Sequence, residues 1–463
     1  MRHPVYRLLW IVLVLVLLWP APRVVAAARA PVADRGELAL ITWVRGEGDS
    51  AWVVIRNGAA PALLRRKLPV PGAVLYDAEF SPDGRYLAYY TGAVSRPGQP
   101  VAADLTLHIL RLGDGVMVRA IPLLPPDFPA NIAATAQALA ARGGTFRTIV
   151  GLDEAIWAAY GSGLRRLAWS PDAQHLAFAG SMDGPTTDLY LYTPADDTVT
   201  RLSDGLEQID RLRWSPDSRW IWHSTVSYGF CQACDGSQYA AAVDGSAMIT
   251  LPGNDVHRFL GWLDDRCFLE TDQANGPGNF DLRVVDVESA AVTTLWPGVH
   301  ERFALDWEAQ RLVVLGHEEV SWNPNVQIYA IDLATGEQTV HSPASLTGDE
   351  SDPLLAAVAA PGVPSCYAPP RVHPCDDRRF RNSAPDGTWR VLDDGSVVNR
   401  DGEVVWPPAP ALARGSVSWQ PDGRGTYVLK GGTLYHRDLT TGAITRLTRG
   451  VVQILWLGHN DNH

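Results

Sequence analysis

Five cysteines and two histidines are the side chains of this sequence whose types and spacing invite a chemical reading. Cys231 and Cys234 are separated by two residues, Cys366 and Cys375 form a second near pair, and Cys267 sits alone inside an apolar run. In an exported protein, four such cysteines are expected to form two disulfides, for which three connectivities exist. Local pairing of Cys231 with Cys234 and of Cys366 with Cys375 is preferred, since each bond then ties down a long loop. A zinc site, or a redox-active Cys-x-x-Cys, is the alternative. Cys267 reads as a buried free thiol.

His257 and His300 occupy similar places relative to the aromatic motifs described below, so a shared metal is conceivable; two histidines alone are weak evidence, and a surface role is the default. Basic residues cluster around them in the pattern: Arg165, Arg166, Arg211, Arg258 and Arg302. Together with the two histidines they are the candidate ligand-binding set, a cationic rim suited to a carboxylate, a polyuronate or an acidic peptide terminus. The competing expectation is that these charges solvate strand ends and pair with nearby Asp. Tyr228, Phe230 and Trp322 lie in polar stretches where they would stack on a sugar, anchor a partner protein, or pack a loop against its neighbour. No nucleophile elbow, zincin motif, Walker A loop or dinucleotide fingerprint occurs, so no catalytic residue, metal or cofactor is assigned.

The elements that must position these residues follow a repeat. Leu212-Arg213-Trp214-Ser215-Pro216-Asp217 reads as a strand ending in an aromatic and entering a tight turn. Related units stand at Trp169-Ser170-Pro171-Asp172, at Phe80-Ser81-Pro82-Asp83-Gly84 and at Trp419-Gln420-Pro421-Asp422-Gly423. Pro sets φ for the turn, Asp bonds nearby amides, and Gly84 or Gly423 supplies a left-handed residue. Successive aromatics at Trp169, Trp214, Trp262 and Trp307 lie 45, 48 and 45 residues apart. Four short strands fill such an interval, which is the period of a β-propeller blade. The fold class is therefore all-β, a propeller of about eight four-stranded blades, with seven as the alternative because residues 379–407 are weakly patterned. The segment 452–457 matches an innermost strand, and the N-terminal segment from Glu37 supplies three others, so the C-terminal strand is expected to join the N-terminal blade and close the ring.

Residues 37–458 thus form one propeller domain with two insertions, 125–163 and 342–378, the first holding a small helical segment near 127–161. The turns between first and second and between third and fourth strands share one face and are uniformly tight. Both insertions and the longer loops belong to the other face, where a binding site is expected.

The first thirty residues lie outside this grammar. Arg2, His3 and Arg7 precede an apolar run to Trp19 and a small-residue stretch, Ala26-Ala27-Ala28, the order of a signal peptide, with an uncleaved anchor as the alternative. The chain of 463 residues carries a formal net charge of -12, and those thirty residues hold arginines but no acid. An acidic exported protein is a poor partner for nucleic acid, and membrane contact is expected only through the N-terminal segment if it is uncleaved.

The four W-S-P-D-type units resemble the WD40-like repeat of TolB-like β-propeller proteins, and similar repeats occur in the propellers of tricorn protease and the prolyl oligopeptidase group. The resemblance covers most of residues 37–458. It departs from TolB in lacking an N-terminal α/β domain and from the peptidases in lacking a hydrolase domain. Neither the TolB partner network nor peptidase activity carries over; with the signal-like N-terminal segment, the expectation is an extracytoplasmic (periplasmic, secreted or cell-surface) propeller that binds a protein or cell-envelope polymer without catalysis. An enzyme with its site at the channel mouth, such as a metal-assisted polysaccharide lyase, and a purely structural module are the alternatives.

Overall fold

A computed structural model describes residues 38–44, 50–56, 64–68, 74–92, 105–124, 166–183, 187–205, 208–226, 235–253, 257–272, 281–306, 309–317, 325–342, 389–399, 402–420 and 424–456, together with 354, 355, 358, 366 and 367. The helical segment expected near 127–161 lies outside these residues.

The described strands form eight sheets arranged as a propeller. Blade 1 holds β1 (Leu38–Val44), β2 (Ser50–Arg56) and β3 (Leu64–Leu68), and blade 2 holds β4 (Val74–Phe80), β5 (Tyr86–Gly92), β6 (Thr106–Arg111) and β7 (Val116–Pro122). Blade 3 is β8 (Leu167–Trp169), β9 (Leu176–Gly180), β10 (Asp188–Thr193) and β11 (Thr198–Arg201). Blade 4 is β12 (Gln208–Trp214), β13 (Trp220–Val226), β14 (Asp235–Ala242) and β15 (Met248–Leu251). Blade 5 is β16 (His257–Trp262), β17 (Cys267–Asp272), β18 (Asp281–Asp286) and β19 (Val292–Trp296). Blade 6 is β20 (Val299–Asp306), β21 (Arg311–His317), β22 (Gln327–Asp332) and β23 (Gln338–His341), with the short β24 (Cys366–Tyr367) added. Blade 7 has β25 (Trp389–Val391), β26 (Val397–Asn399) and β27 (Val404–Trp406), and blade 8 has β28 (Ser416–Trp419), β29 (Gly425–Lys430), β30 (Thr433–Asp438) and β31 (Ile444–Arg449). Finally β32 (Val451–Trp456) returns to pair antiparallel with β1, Leu40 opposite Ile454, and completes blade 1.

Seven sheets therefore carry the full four-stranded blade, and blade 7 is a three-stranded sheet among the described residues. Seven full blades match the alternative count of the repeat, and the weakly patterned unit 379–407 contributes only the three-stranded sheet.

Burial follows position in the blade. Second and third strands such as β9, β10, β17 and β18 are buried almost throughout, because both faces of each blade pack against neighbours. Outermost strands such as β11 and β23 are mostly exposed. The exposed large apolar side chains Val116, Met248, Val292, Val340, Val404, Val405 and Ile444 all stand on outermost strands.

The repeated turn owes its form to its serine. Ser215 Oγ donates to Asp217 Oδ1 at 2.6 Å and accepts the Trp220 amide at 2.9 Å, while Asp217 Oδ1 accepts the Arg219 amide at 3.1 Å. Ser170 with Asp172 and Ser81 with Asp83 repeat the arrangement. The left-handed position is glycine only at Gly84 (φ 68°); Ala173 (φ 59°) and Ser218 (φ 64°) adopt it elsewhere, and Gly423 lies outside the described residues. Trp214 is buried and its Nε1–H donates to the Ala168 carbonyl of blade 3 at 2.8 Å, so the motif aromatic locks one blade onto the next.

The second insertion does more than loop. Leu354, Leu355 and Val358 are buried against Ala304, Val313, Leu315, Ile328 and Ala330 on one face of blade 6. β24 pairs in parallel with the free edge of β20, Phe303 opposite Cys366, which adds a fifth strand on the inner side of that blade.

Candidate functional site

The basic rim residues stand where innermost strands begin. Arg166 precedes β8, Arg211 lies in β12, His257 and Arg258 open β16, and His300 and Arg302 lie at the start of β20. Arg166, Arg211, Arg258 and His300 are partly buried, and Arg165 lies outside the described residues. The two histidines engage different surroundings. His257 is only 2% exposed and meets the edge of Trp222 at 6.4 Å, whereas His300 meets Phe303 at 5.6 Å. No group of three or more His, Cys, Asp or Glu is arranged to hold a metal among the described residues.

Tyr228, Phe230, Trp322, Cys231, Cys234 and Cys375 lie outside the described residues, and Cys366 is placed by its backbone in β24. The two expected disulfides are therefore not among the described contacts. Cys267 is free and half-buried, and burial pushes its thiol pKa up to about 11, which disfavours the reactive thiolate.

A single position in the blade carries the polar chemistry that the sequence did not flag. In blades 2 to 5 the residue opposite the motif aromatic is Leu87, Leu176, Ile221 or Phe268. Two residues further along the second strand, a cross-strand pair forms with the third strand: Tyr89 with His108, Phe178 with Tyr190, His223 with Tyr239, and Glu270 with Arg283. The first three are stacked rings, with centroids 5.0, 5.6 and 5.3 Å apart. Phe178 and Tyr190 pack into the apolar interface with blade 2. Glu270 and Arg283 instead form a buried ion pair facing blade 4.

That ion pair is the centre of a closed network. Arg283 also bonds Asp272 Oδ2 from Nη1 at 2.5 Å, and Glu270 and Asp272 are both fully buried. Gln238 of blade 4 donates from Nε2 to Glu270 Oε2 at 2.9 Å and to the Pro252 carbonyl at 2.7 Å, while its Oε1 accepts Trp222 Nε1–H at 3.0 Å. Any side chain at Gly253 would drive its Cβ to 2.7 Å from Gln238 Nε2, so the close approach requires glycine there. Burial raises the Glu270 pKa, opposed by Arg283, Gln238 and His257. Every partner of this amide and carboxylate is satisfied, which makes the network a device for joining blades 4 and 5.

The His223–Tyr239 pair has a different setting. Blade 3 presents Ala168, Ala177 and Ala179 to blade 4, while its bulky Trp169, Phe178, Tyr190 and Tyr192 face blade 2. Between the two blades lies an open cleft of about 270 Å³ lined by Asp188, Asp204, Ile209, His223, Tyr239 and Met248, among others. Asp188, buried, accepts from Arg201 at 2.6 Å, from the Gly205 amide at 3.0 Å and from Ser203 Oγ at 3.2 Å. Its pKa is raised by burial against the pull of these donors. His223 is 2% exposed, and its Nδ1 meets no hydrogen-bond partner of ordinary geometry. Burial lowers its pKa to about 4, with the Ile221 backbone acting the other way, so the ring is neutral at physiological pH. His223 and Tyr239 alternate with core residues as any strand residue does, so nothing in residue order marks this cleft.

No protein-family model matches the chain, and no curated protein matches it in sequence. Among solved structures, TolB from Acinetobacter baumannii aligns over 66% of this chain and 63% of its own, at 13% identity and a TM-score of 0.31. This chain thus spans less than two thirds of that TolB. A putative TolB from Agrobacterium tumefaciens aligns over 66% of this chain and 89% of its own, at 13% identity and a TM-score of 0.28. The dihydro-heme d1 dehydrogenase NirN aligns over 94% and 78%, at 13% identity and a TM-score of 0.48. The ring of sheets closed by β32 on β1 makes this chain a β-propeller, and solved TolB structures are among those with which it aligns.

Proposed function

We propose that this protein is an extracytoplasmic binding module that engages a protein or a cell-envelope polymer through the face carrying its long connections. The observation that carries the reading is a difference between the two faces. On the tight face the acids are committed to the backbone. Asp244, Asp286, Asp332 and Asp438 each accept amides of their own turn at 2.8 to 3.0 Å, and Asp83, Asp172 and Asp217 do the same in the repeated motif. These seven aspartates thus have a structural role in their turns. The described strand ends that flank residues 93–104, 125–165, 227–234, 273–280 and 318–324 lie on the other face, and the cleft between blades 3 and 4 lies toward that side. Variable loops on a rigid scaffold are the usual seat of recognition. The leader-like N-terminal sequence supports an extracytoplasmic address.

Crosslinking and pull-down from the native envelope tests the reading with three forms of the full chain. The form carrying Tyr228→Ala and Trp322→Ala is expected to lose partners that wild type and a tight-face variant, Asp244→Asn, retain. Retention of every partner by the loop variant, or loss through Asp244→Asn alone, overturns it.

A further inference from the structure

We propose that the insertion 342–378 is a strap that stands in for blade-on-blade packing between blades 6 and 7 and couples that seam to the central channel. Strand alternation divides the apolar residues of blade 6 between two faces. Phe303, Leu305, Leu312, Val314, Tyr329 and Ile331 pack with Leu260, Leu269 and Trp296 of blade 5. The alternating residues Ala304, Val313, Leu315, Ile328 and Ala330 therefore look the other way, toward the place of blade 7 in the ring. Among the described residues, Leu354, Leu355 and Val358 of the insertion pack on them, each at most 5% exposed. Blade 7 packs in the opposite direction: Trp389, Val391, Val397 and Trp406 join Val417, Trp419 and Val428 of blade 8. Alternation leaves only Arg390, Val398 and Val405 for the side of blade 6, one from each three-residue strand. Other interfaces are made by the strands themselves, as where Tyr86 stacks on Trp169 at 5.8 Å, Trp222 meets Phe259 at 4.7 Å and Trp296 meets Tyr329 at 4.4 Å.

The same insertion then reaches the channel. Innermost strands β32, β4, β8 and β12 neighbour one another in turn around the axis, and β20 is the corresponding strand of blade 6. On its inner edge β24 places Cys366 opposite Phe303 and Tyr367 opposite Ala304, so β24 stands on the channel side. Ala304 belongs to both contacts, its side chain in the cluster under Leu354, Leu355 and Val358 and its backbone beside β24. Seven residues separate Val358 from Cys366, a tether of at most about 28 Å when fully extended. Prolines at 361, 364, 369 and 370 bracket β24 and lack the amide that a longer ladder would need, which keeps its grip on β20 short. Three buried apolar side chains are thus the anchor of the strap, and the two-residue strand is its dependent end.

The test is hydrogen exchange of the full chain, read by mass spectrometry on peptides. Leu355→Ala weakens the anchor without touching a blade strand and is expected to speed exchange about tenfold or more in β21 and β22 and, with them, in β20 and at 366–367. Leu355→Asp is expected to act in the same direction and more strongly. Exchange in β9, β10, β29 and β30, remote from the seam, is expected to keep the wild-type rate in both variants. Tyr367→Pro strips an amide from β24 and, because linkage is reciprocal, is expected to speed exchange at 354–358 about fivefold. Faster exchange confined to β21 and β22 in Leu355→Ala, or an unaltered rate at 354–358 in Tyr367→Pro, overturns the coupling of seam to channel. Wild-type exchange throughout in both Leu355 variants overturns the strap itself.

Discussion

Gln238 and Glu270, on adjacent blades, meet side chain to side chain at 2.9 Å, and the same amide nitrogen reaches the Pro252 carbonyl at 2.7 Å. One amide thus bridges blade 4, the connection to blade 5, and the buried ion pair of blade 5. A buried ion pair contributes little net stability against an apolar replacement, but losing one partner leaves an uncompensated charge. Arg283→Met is therefore expected to destabilise the protein by about 3–5 kcal/mol, with Glu270 and Asp272 left facing each other's charge. The double variant Glu270→Leu with Arg283→Met is expected to recover a large part of that loss. Denaturant unfolding of the wild type, the single and the double variants measures the coupling directly; additive losses would show that the pair does not act as a unit.

His223 sets an acid limit on stability. Its folded pKa of about 4 lies below the ordinary 6.5, so between these values the unfolded chain binds a proton that the folded chain refuses. The stability contribution is complete above pH 6.5 and is lost as pH falls toward 4. Its size is on the order of 3 kcal/mol. Buried His108, also near 4, acts in the same direction, while Asp188, with its pKa raised, gains relative stability on acidification and opposes both. Unfolding free energies measured from pH 7.5 to 4.5 are expected to fall, and His223→Phe is expected to flatten that slope. An unchanged slope in the variant would place the acid sensitivity elsewhere.

Closure of the ring rests on β32. Its register with β1 pairs Leu38 with Trp456, Leu40 with Ile454 and Ile41 with Gln453. Ile454→Pro removes an amide from that ladder and restricts the backbone, at an expected cost of about 3 kcal/mol or more. Thermal unfolding of the variant is expected to shift down and to broaden, since blade 1 loses the innermost strand that closes the ring. A melting curve superimposable on wild type would contradict the closure.

The repeated turn offers a smaller, sharper test. Asp217→Ala removes the acceptor of both Ser215 Oγ and the Arg219 amide. The expected loss is about 1–2 kcal/mol, and Asp217→Asn, which keeps an acceptor oxygen, is expected to lose less. Both are read by denaturant midpoint, with binding to the opposite face unchanged.

Much of this was legible in the order of residues. Blade spacing, the strand–turn–strand units at Trp169 and Trp214, the Asp-to-amide bonds and the return of β32 to β1 all follow from period, local turn chemistry and the need to satisfy free strand edges. Such signals are carried within a few residues, or by a missing strand at each end, and need no knowledge of which side chains meet across blades. The tertiary structure alone decided the rest. It placed His257 beside Trp222, set β24 on the inner edge of β20, linked Gln238 to Glu270, and opened the cleft at His223 while closing the matching positions in blades 3 and 5. Strand alternation says which residues share a face, but what fills the space opposite depends on the neighbouring blade. His223 and Tyr239 line a cleft only because the ring sets blade 4 beside Asp188 and Leu202 of blade 3.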